Sequence, residues 1–377
     1  MSNQVHALDL FAGCGGLSLG MQQCGVQIIG AIEKDKWAAE TYAANHSSVK
    51  ILNTGVEEIG DKEIKRLFAG VTMIAGGPPC QGFSVSGKRQ FGIYKKDNWL
   101  LREYIRYVKI LRPKCFIVEN VRGLVTATIE GKTSALSLLM SELEDLGYIV
   151  HHQVLQAHDF GVPQYRSRVF VIGTLAPVRN AFPETTTKQS GKISVMEAIG
   201  DLPYLVAGTG SESAVPYTTP AKTNYQREMR FGSIGVLNHV AMKHTQRLIE
   251  RFEHIEPGGK GYDIGRSNRM KTVTVYKSNN QRLVSDLPSL CITANFQSTY
   301  VHPKLNRNLT AREAARIQTF PDRFIFKGKR TLMSSTLLRA EGREGENFLS
   351  QYNQIGNAVP PRFAKVIVSN LVKEISR

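Results

Sequence analysis

The chain has 377 residues, 42% hydrophobic and 21% charged, a globular composition with room for two domains and a sizeable core rather than a disordered one. Its net charge of +16 favours a polyanionic partner, nucleic acid above all. No apolar run reaches the roughly 18 residues of a membrane span, the first residues carry no basic signal-peptide start, and the five cysteines form neither a CxxC pair nor a zinc spacing. The expectation is a cytoplasmic protein in a reducing compartment, without structural disulfides, membrane or metal.

In chain order, Val5 to Phe11 reads as a strand and runs into the glycine loop Ala12-Gly13-Cys14-Gly15-Gly16. A helix follows to about Cys24, then a strand from Val26 to Ile32 ending at Glu33, and a helix from Trp37 to Asn45. Val71 to Ala75 is a short buried strand. Leu100 to Leu111 is a helix that stops before Pro113, and Cys115 to Val118 is another apolar strand, closed by Glu119-Asn120. Ser134 to Leu146 is an amphipathic helix ended by Gly147. Ile149 to Gln156 and Arg168 to Gly173 read as a hairpin with a long connection. This β/α alternation predicts a doubly wound α/β (Rossmann-like) sheet.

The pattern changes near Pro177, where the alternation stops. Residues 177–305 read as a smaller, irregular second domain, with a helix over about Ala241 to Ile255 and a β-type run from Thr272 to Tyr276. Between residues 222 and 282 there are 12 Lys and Arg against 5 Asp and Glu, a net of +7. Leu309 to Thr319 returns to helix, opened by a Thr310/Glu313 capping box. Residues 327–350 read as a polar inserted loop, and a last helix begins at Pro360-Pro361 with Phe363, Val366, Ile367 and Leu371 on its apolar stripe. The expected domains are thus 1–176, 177–305, a 306–350 hinge segment with its inserted loop, and a 351–377 C-terminal helix returning to the first domain.

Several stretches carry chemistry. After the strand at 71–75, Gly76-Gly77-Pro78-Pro79-Cys80-Gln81 makes a rigid corner past a strand's carboxyl end, where open α/β sheets place ligands. A lone cysteine is usually a small buried hydrophobe, but the rigid flanks and polar neighbours of Cys80 argue against burial. The glycine loop after the first strand has the context of a nucleotide-type cofactor site, and Glu33 ends the next strand, where an acidic residue binds ribose hydroxyls. Glu119 ends its strand on the same sheet edge as Cys80. Arg166 and Arg168, two apart, point to one face of an extended segment. His151, His152 and His158 hint at a metal, but adjacent residues on a strand face opposite ways.

Together these stretches closely resemble the DNA (cytosine-5)-methyltransferases of bacterial type, over nearly the whole chain and in the family's order. Asp9–Gly16 is similar to the family's S-adenosyl-L-methionine motif, and Pro78-Pro79-Cys80-Gln81 to its nucleophile motif. Glu119-Asn120-Val121 resembles the acid motif and Gln164-x-Arg166-x-Arg168 the arginine motif. Arg312-Glu313-Ala314-Ala315-Arg316-Ile317-Gln318-x-Phe320-Pro321 and Gln354-Ile355-Gly356-Asn357-Ala358-Val359 resemble the last two blocks. The resemblance implies Cys80 as nucleophile on cytosine, Glu119 as general acid at ring N3, and Arg166 and Arg168 as the grip on the base carbonyl. It implies S-adenosyl-L-methionine as methyl donor, with Asp9, Phe11, Gly13, Gly15, Gly16, Glu33, Asn53, Pro79, Leu100 and Asn357 at the family's cofactor positions. Two positions depart from its pattern: Asn53-Thr54 replaces an Asp near the adenine, and Lys34 replaces an aromatic after the ribose carboxylate.

The resemblance further implies double-stranded DNA as substrate, a flipped-out target base, residues 81–98 as a closing loop, and 177–305 as the target-reading domain. It also implies a monomer at the nucleoid, either paired with a cognate restriction endonuclease acting on the same site without direct contact or standing alone. Candidate base readers are Arg266, Asn268, Arg269, Lys271, Lys277, Asn279, Asn280, Gln281 and Arg282. An RNA cytosine methyltransferase and a non-catalytic DNA-binding protein are the alternatives; the basic second domain weighs against the first and the complete catalytic set against the second.

Overall fold

A seven-stranded sheet organises the first half of the chain in the computed structural model, which describes residues 4–79, 99–129, 133–186, 191–264, 279–332, 335–346 and 348–375. Cys80, the 81–98 loop, the 272–276 run and the candidate readers from Arg266 to Lys277 lie outside these residues. The strands are β1 (His6–Leu10), β2 (Gln27–Ile32), β3 (Ile51–Leu52), β4 (Met73–Gly76), β5 (Cys115–Val121), β6 (Ile149–Gln156) and β7 (Ser167–Thr174). Their order is β3-β2-β1-β4-β5-β7-β6. Strand β7 runs antiparallel to both neighbours, and the other pairs are parallel. The order turns back between β1 and β4, the switch point where such sheets open a crevice at their carboxyl edge.

The apolar strands are continuous rather than alternating because both sheet faces are covered. On one side Leu8, Ile74, Phe116 and Val118 pack with Tyr104, Tyr107 and Val108 of helix Trp99–Leu111 and with Leu136 and Leu139 of helix Ala135–Glu144. Elsewhere in the same unit the C-terminal helix, Pro361–Ile375, packs on helix Gly16–Gln22. Its Phe363 stacks on Phe160 and meets Phe170 edge-on. Val366, expected on the stripe, is only half-buried, and Ala364 and Val368 are buried instead.

The contacts divide the chain into two units. One comprises Met1–Phe160, Ser167–Thr185 and Val359–Arg377, the other Gly161–Arg166 and Thr186–Ala358. These limits differ from the sequence boundaries. Residues 161–166 join the second unit because Gln164–Tyr165 pairs with Ser289–Leu290. Residues 306–358 join it because helix Gln351–Asn357 packs on helix Ala311–Ile317, with the Gln318 amide donating to the Ile355 carbonyl at 2.6 Å.

Helix Ala311–Ile317 is buried at every position and opens with the expected capping box, Glu313 N donating to Thr310 Oγ1 and Thr310 N to Glu313 Oε2. The predicted helix over 241–255 is shorter, Gln246–Glu253. Its first residues are drawn into extended pairing: His239–Val240 pairs with Gly210–Ser211, and Ala241 N donates to Thr209 O. The 327–350 stretch is not all loop, since Ser335–Ala340 is helical. Among the described residues no helix is long and apolar enough to cross a membrane.

Candidate active site

The carboxyl edge of the sheet brings several candidates together. Strand β1 leads into Phe11 at φ +57°, Gly13 at +55° and Gly15 at +94°, left-handed turns that carry the backbone from strand to helix. Gly15 has no substitute: a Cβ there would lie 2.3 Å from Nε2 of buried His46. That ring sits 3.2 Å from Gly15 O and 2.8 Å from Gln22 Oε1, and burial lowers its pKa to about 4, so it is neutral near pH 7. Gly16 is the buried first residue of the helix.

Glu33 faces this loop from the end of β2. Its Oε2 accepts from Gly13 N and its Oε1 from Asp35 N, both at 2.7 Å. Burial raises its pKa, against the pull of these amides. Each oxygen keeps acceptor capacity, and a Cβ on Gly13 would meet nothing within 4 Å. A half-buried carboxylate beside an open glycine loop fits the ribose of S-adenosyl-L-methionine. Asn53 is exposed, its amide donating to the carbonyls of Glu33 and Lys34. Lys34 is tied to Glu57 at 2.9 Å. Leu100, half-buried, packs against the core beneath.

Asp9 behaves differently from the expectation. Its side chain is wholly buried and so offers no surface to a cofactor. Ser18 Oγ donates to Asp9 Oδ2 at 2.6 Å and lies 2.7 Å from the Tyr42 hydroxyl. Oδ1 has no partner. Desolvation raises the carboxyl's pKa to about 7, against the Ser18 hydrogen bond and with help from Glu33. Asp9 braces the loop from inside. The sequence alone did not single out Ser18, Tyr42 or His46, because nothing local ties residues 18, 42 and 46 to a loop at 9–16.

The Pro78-Pro79 corner is held against Glu119. Strands β4 and β5 pair Gly76 with Val118, so Gly77 follows beside Glu119, where a Cβ would lie 3.3 Å from Glu119 Oε2. One residue on, the Asn120 amide donates to Pro78 O at 3.1 Å. Pro79 is exposed. On its other side Glu119 meets Arg168, with Nε 2.9 Å from Oε1. This is an ion-pair contact without the alignment of a hydrogen bond, since Oε1 has no hydrogen-bonding partner. Arg168 also donates to Ser167 O. The register explains the pair: Phe170 lies opposite Glu119, and Arg168, two residues away, is its diagonal neighbour on the same face.

Arg166 does not share these surroundings. It is 1% exposed and belongs to the second unit. There it donates to Ile292 O at 2.8 Å, Ala358 O at 3.0 Å and Gly356 O at 3.3 Å. A guanidinium whose terminal nitrogens are taken up by these carbonyls has neither to spare for a base, which departs from the expected paired role of Arg166 and Arg168. Gln164 is a staple of the same kind, its amide donating to Ile317 O and Gln318 Oε1 while its own oxygen accepts from Ile292 N. Arg282 is also withdrawn from the base readers, being buried and bonded to five acceptors, and Asn280 is buried. Asn357 is exposed at the end of helix Gln351–Asn357, in the second unit.

Residues 5–373 match the family model described as C-5 cytosine-specific DNA methylase. The chain is 40% identical over 381 residues to Type II methyltransferase M.DdeI of Desulfomicrobium norvegicum, covering 97% of this chain and 88% of that protein. It is 35% identical over 370 residues to Type II methyltransferase M1.HphI of Haemophilus parahaemolyticus, covering 97% and 86%. Among solved structures, a prophage-encoded Escherichia coli protein described as a DNA modification methyltransferase superposes with a TM-score of 0.76 at 24% identity, over 99% of this chain and all of that one. At that identity the likeness speaks for the fold.

Proposed function

The chain belongs to the C-5 cytosine-specific DNA methylase family, and from that premise we propose that Cys80 is the nucleophile through which it methylates a flipped-out cytosine in a short duplex DNA site. Carbon-5 of cytosine is too weak a nucleophile unaided. The Cys80 thiolate bonds to carbon-6, and the displaced electron pair moves towards ring N3, where Glu119 acts as general acid. Carbon-5 then carries enamine character. When bound, S-adenosyl-L-methionine supplies an electrophilic methyl group for carbon-5 to accept. Loss of the carbon-5 proton to a base then expels Cys80 as thiolate. Arg168 aligns the Glu119 carboxyl and is the remaining cation for the base carbonyl. The reacting atoms are inaccessible in a stacked duplex, so the base leaves the stack.

The observation that carries this reading is the tie between the Asn120 amide and Pro78 O, 3.1 Å. It fixes the corner two residues before Cys80 beside the Glu119 carboxyl. Glu33 and the Gly13–Gly16 loop would hold the cofactor's ribose and amino-acid portions, with Phe11, Asn53, Pro79 and Leu100 completing its surroundings. Residues 177–305 would read the target, the protein acting as a cytoplasmic monomer. The Type II methyltransferase relatives support a place in a restriction-modification system, whose endonuclease would act on the same site without direct contact.

The test is transfer of a labelled methyl group to duplex DNA by wild type and Cys80→Ala. Wild type is expected to label DNA and to form a covalent complex with 5-fluorocytosine DNA, where fluorine cannot leave as a proton; Cys80→Ala does neither. Undiminished transfer by Cys80→Ala overturns the mechanism. Transfer to RNA but not to DNA overturns the substrate.

A further inference from the structure

Six arginines are buried among the described residues: Arg166, Arg251, Arg282, Arg307, Arg312 and Arg316. Five are engaged. Arg282 donates to the carbonyls of Phe252, Ile255, His302 and Leu305 and to Asn306 Oδ1. Arg307 and Arg316 hold carboxylates, and Arg312 and Arg166 hold carbonyls. Arg251, on helix Gln246–Glu253, is 5% exposed. Its Nε is closed off from solvent without an acceptor, and no carboxylate of the described residues lies within ion-pair distance. The charge that acts on it is of the same sign: Arg247, exposed and one turn earlier on the same helix face. Burial and Arg247 both lower the pKa of Arg251.

A guanidinium Nε taken out of water without a hydrogen bond costs free energy, and the pattern next door shows that this fold can supply five acceptors to a buried guanidinium. Neither Glu250, which accepts from Gln246, nor Glu256, which acts on Arg282, is within ion-pair distance of Arg251. We propose that Arg251 and Arg247 form a clamp for one backbone phosphate of the substrate duplex. The phosphodiester oxygen would approach Arg251 through its remaining surface, with Arg247 on the solvent side. Such a contact carries no sequence information but sets the register of the duplex. This rests on duplex DNA being the substrate.

The experiment measures binding of duplex DNA by the full-length protein, wild type, Arg251→Gln and Arg247→Gln, from low to physiological salt. Each variant is expected to bind about tenfold more weakly at low salt. The slope of log affinity against log salt should become shallower by about 0.9 for the one phosphate lost. Thermal unfolding without DNA provides the control: removing an uncompensated buried charge should leave Arg251→Gln at or above the wild-type Tm, whereas a purely structural Arg251 would lower it. Inorganic phosphate at millimolar concentration should compete weakly with duplex for wild type and not for Arg251→Gln. An unchanged salt slope with unchanged affinity overturns the clamp, and so does a lowered Tm with an unchanged slope. If wild type binds no duplex DNA, it is the substrate reading that fails, which the labelled-methyl assay registers separately.

Discussion

The sheet edge of the first unit and the helix Ala311–Ile317 of the second both place charges out of water, and they do so with opposite economy. At the sheet edge each ionisable group has few partners. Glu119 has one cation, Arg168, and an oxygen without a hydrogen bond, and Asp9 has one hydroxyl and one bare oxygen. Around the helix each buried arginine is held, Arg312 by the carbonyls of Leu237, Pro321 and Phe324 and the other two by carboxylates. Arg307 grips Glu313 with two nitrogens at 2.9 and 2.6 Å, and Arg316 grips Asp322 with two at 2.6 Å while reaching Asp201 at 3.0 Å. Burial works against the Glu313 charge, but Arg307 outweighs it and holds that carboxyl well below the usual range. Unmatched groups have capacity left for a substrate, whereas matched ones hold a region with little regular sheet in one arrangement.

The sharpest way to break this comparison is at Glu119. Glu119→Gln keeps the shape but not the acid, so kcat is expected to fall by about 10²–10⁴-fold with Tm little changed; a large loss of Tm would make Glu119 a structural residue. Arg316→Met should do the reverse, leaving Asp322 and Asp201 buried without it and costing about 3–5 kcal/mol in denaturant unfolding. A stability loss below 1 kcal/mol would mean the network is no more than surface-like pairing. The two arginines of Gln164-x-Arg166-x-Arg168 sharpen it further. Arg166→Lys should destabilise by about 1–3 kcal/mol through orphaned carbonyls, while Arg168→Lys should keep its Tm and lose kcat. Equal effects on both properties would erase the distinction.

The smallest effect concerns Asp9. Its carboxyl ionises near 7 in the folded chain against about 4 in an unfolded one. Below pH 4 both states are protonated. Between about 4 and 7 the unfolded chain releases a proton that the folded one retains, so stability falls as pH rises, levelling off above 7. Asp9→Asn has no such proton, so the wild-type Tm should fall relative to the variant's as pH rises over that range. Parallel Tm curves would show that the carboxyl ionises normally. The groups acting on it, Glu33 and Ser18, are unchanged in the variant.

Much of this protein was legible without coordinates. Alternating apolar runs and glycine turns predicted the sheet, because strands buried on both faces must be apolar throughout and strand ends must turn. The Thr310/Glu313 cap was readable because its two partners are three residues apart. Even the meeting of the Gly77-Pro78 turn with Glu119 and Asn120 follows from two strand ends on one edge. Tertiary structure decided what each polar side chain faces. Arg166 and Arg168 read as one pair, but strand β7 takes the second and the carbonyls of Ile292, Gly356 and Ala358 take the first. Asp9 read as a ligand-facing carboxylate, but its neighbours Ser18 and Tyr42 come from two different helices. The physical reason is range: backbone pattern is written over three or four residues, while the acceptors that satisfy Arg166 lie more than a hundred residues away.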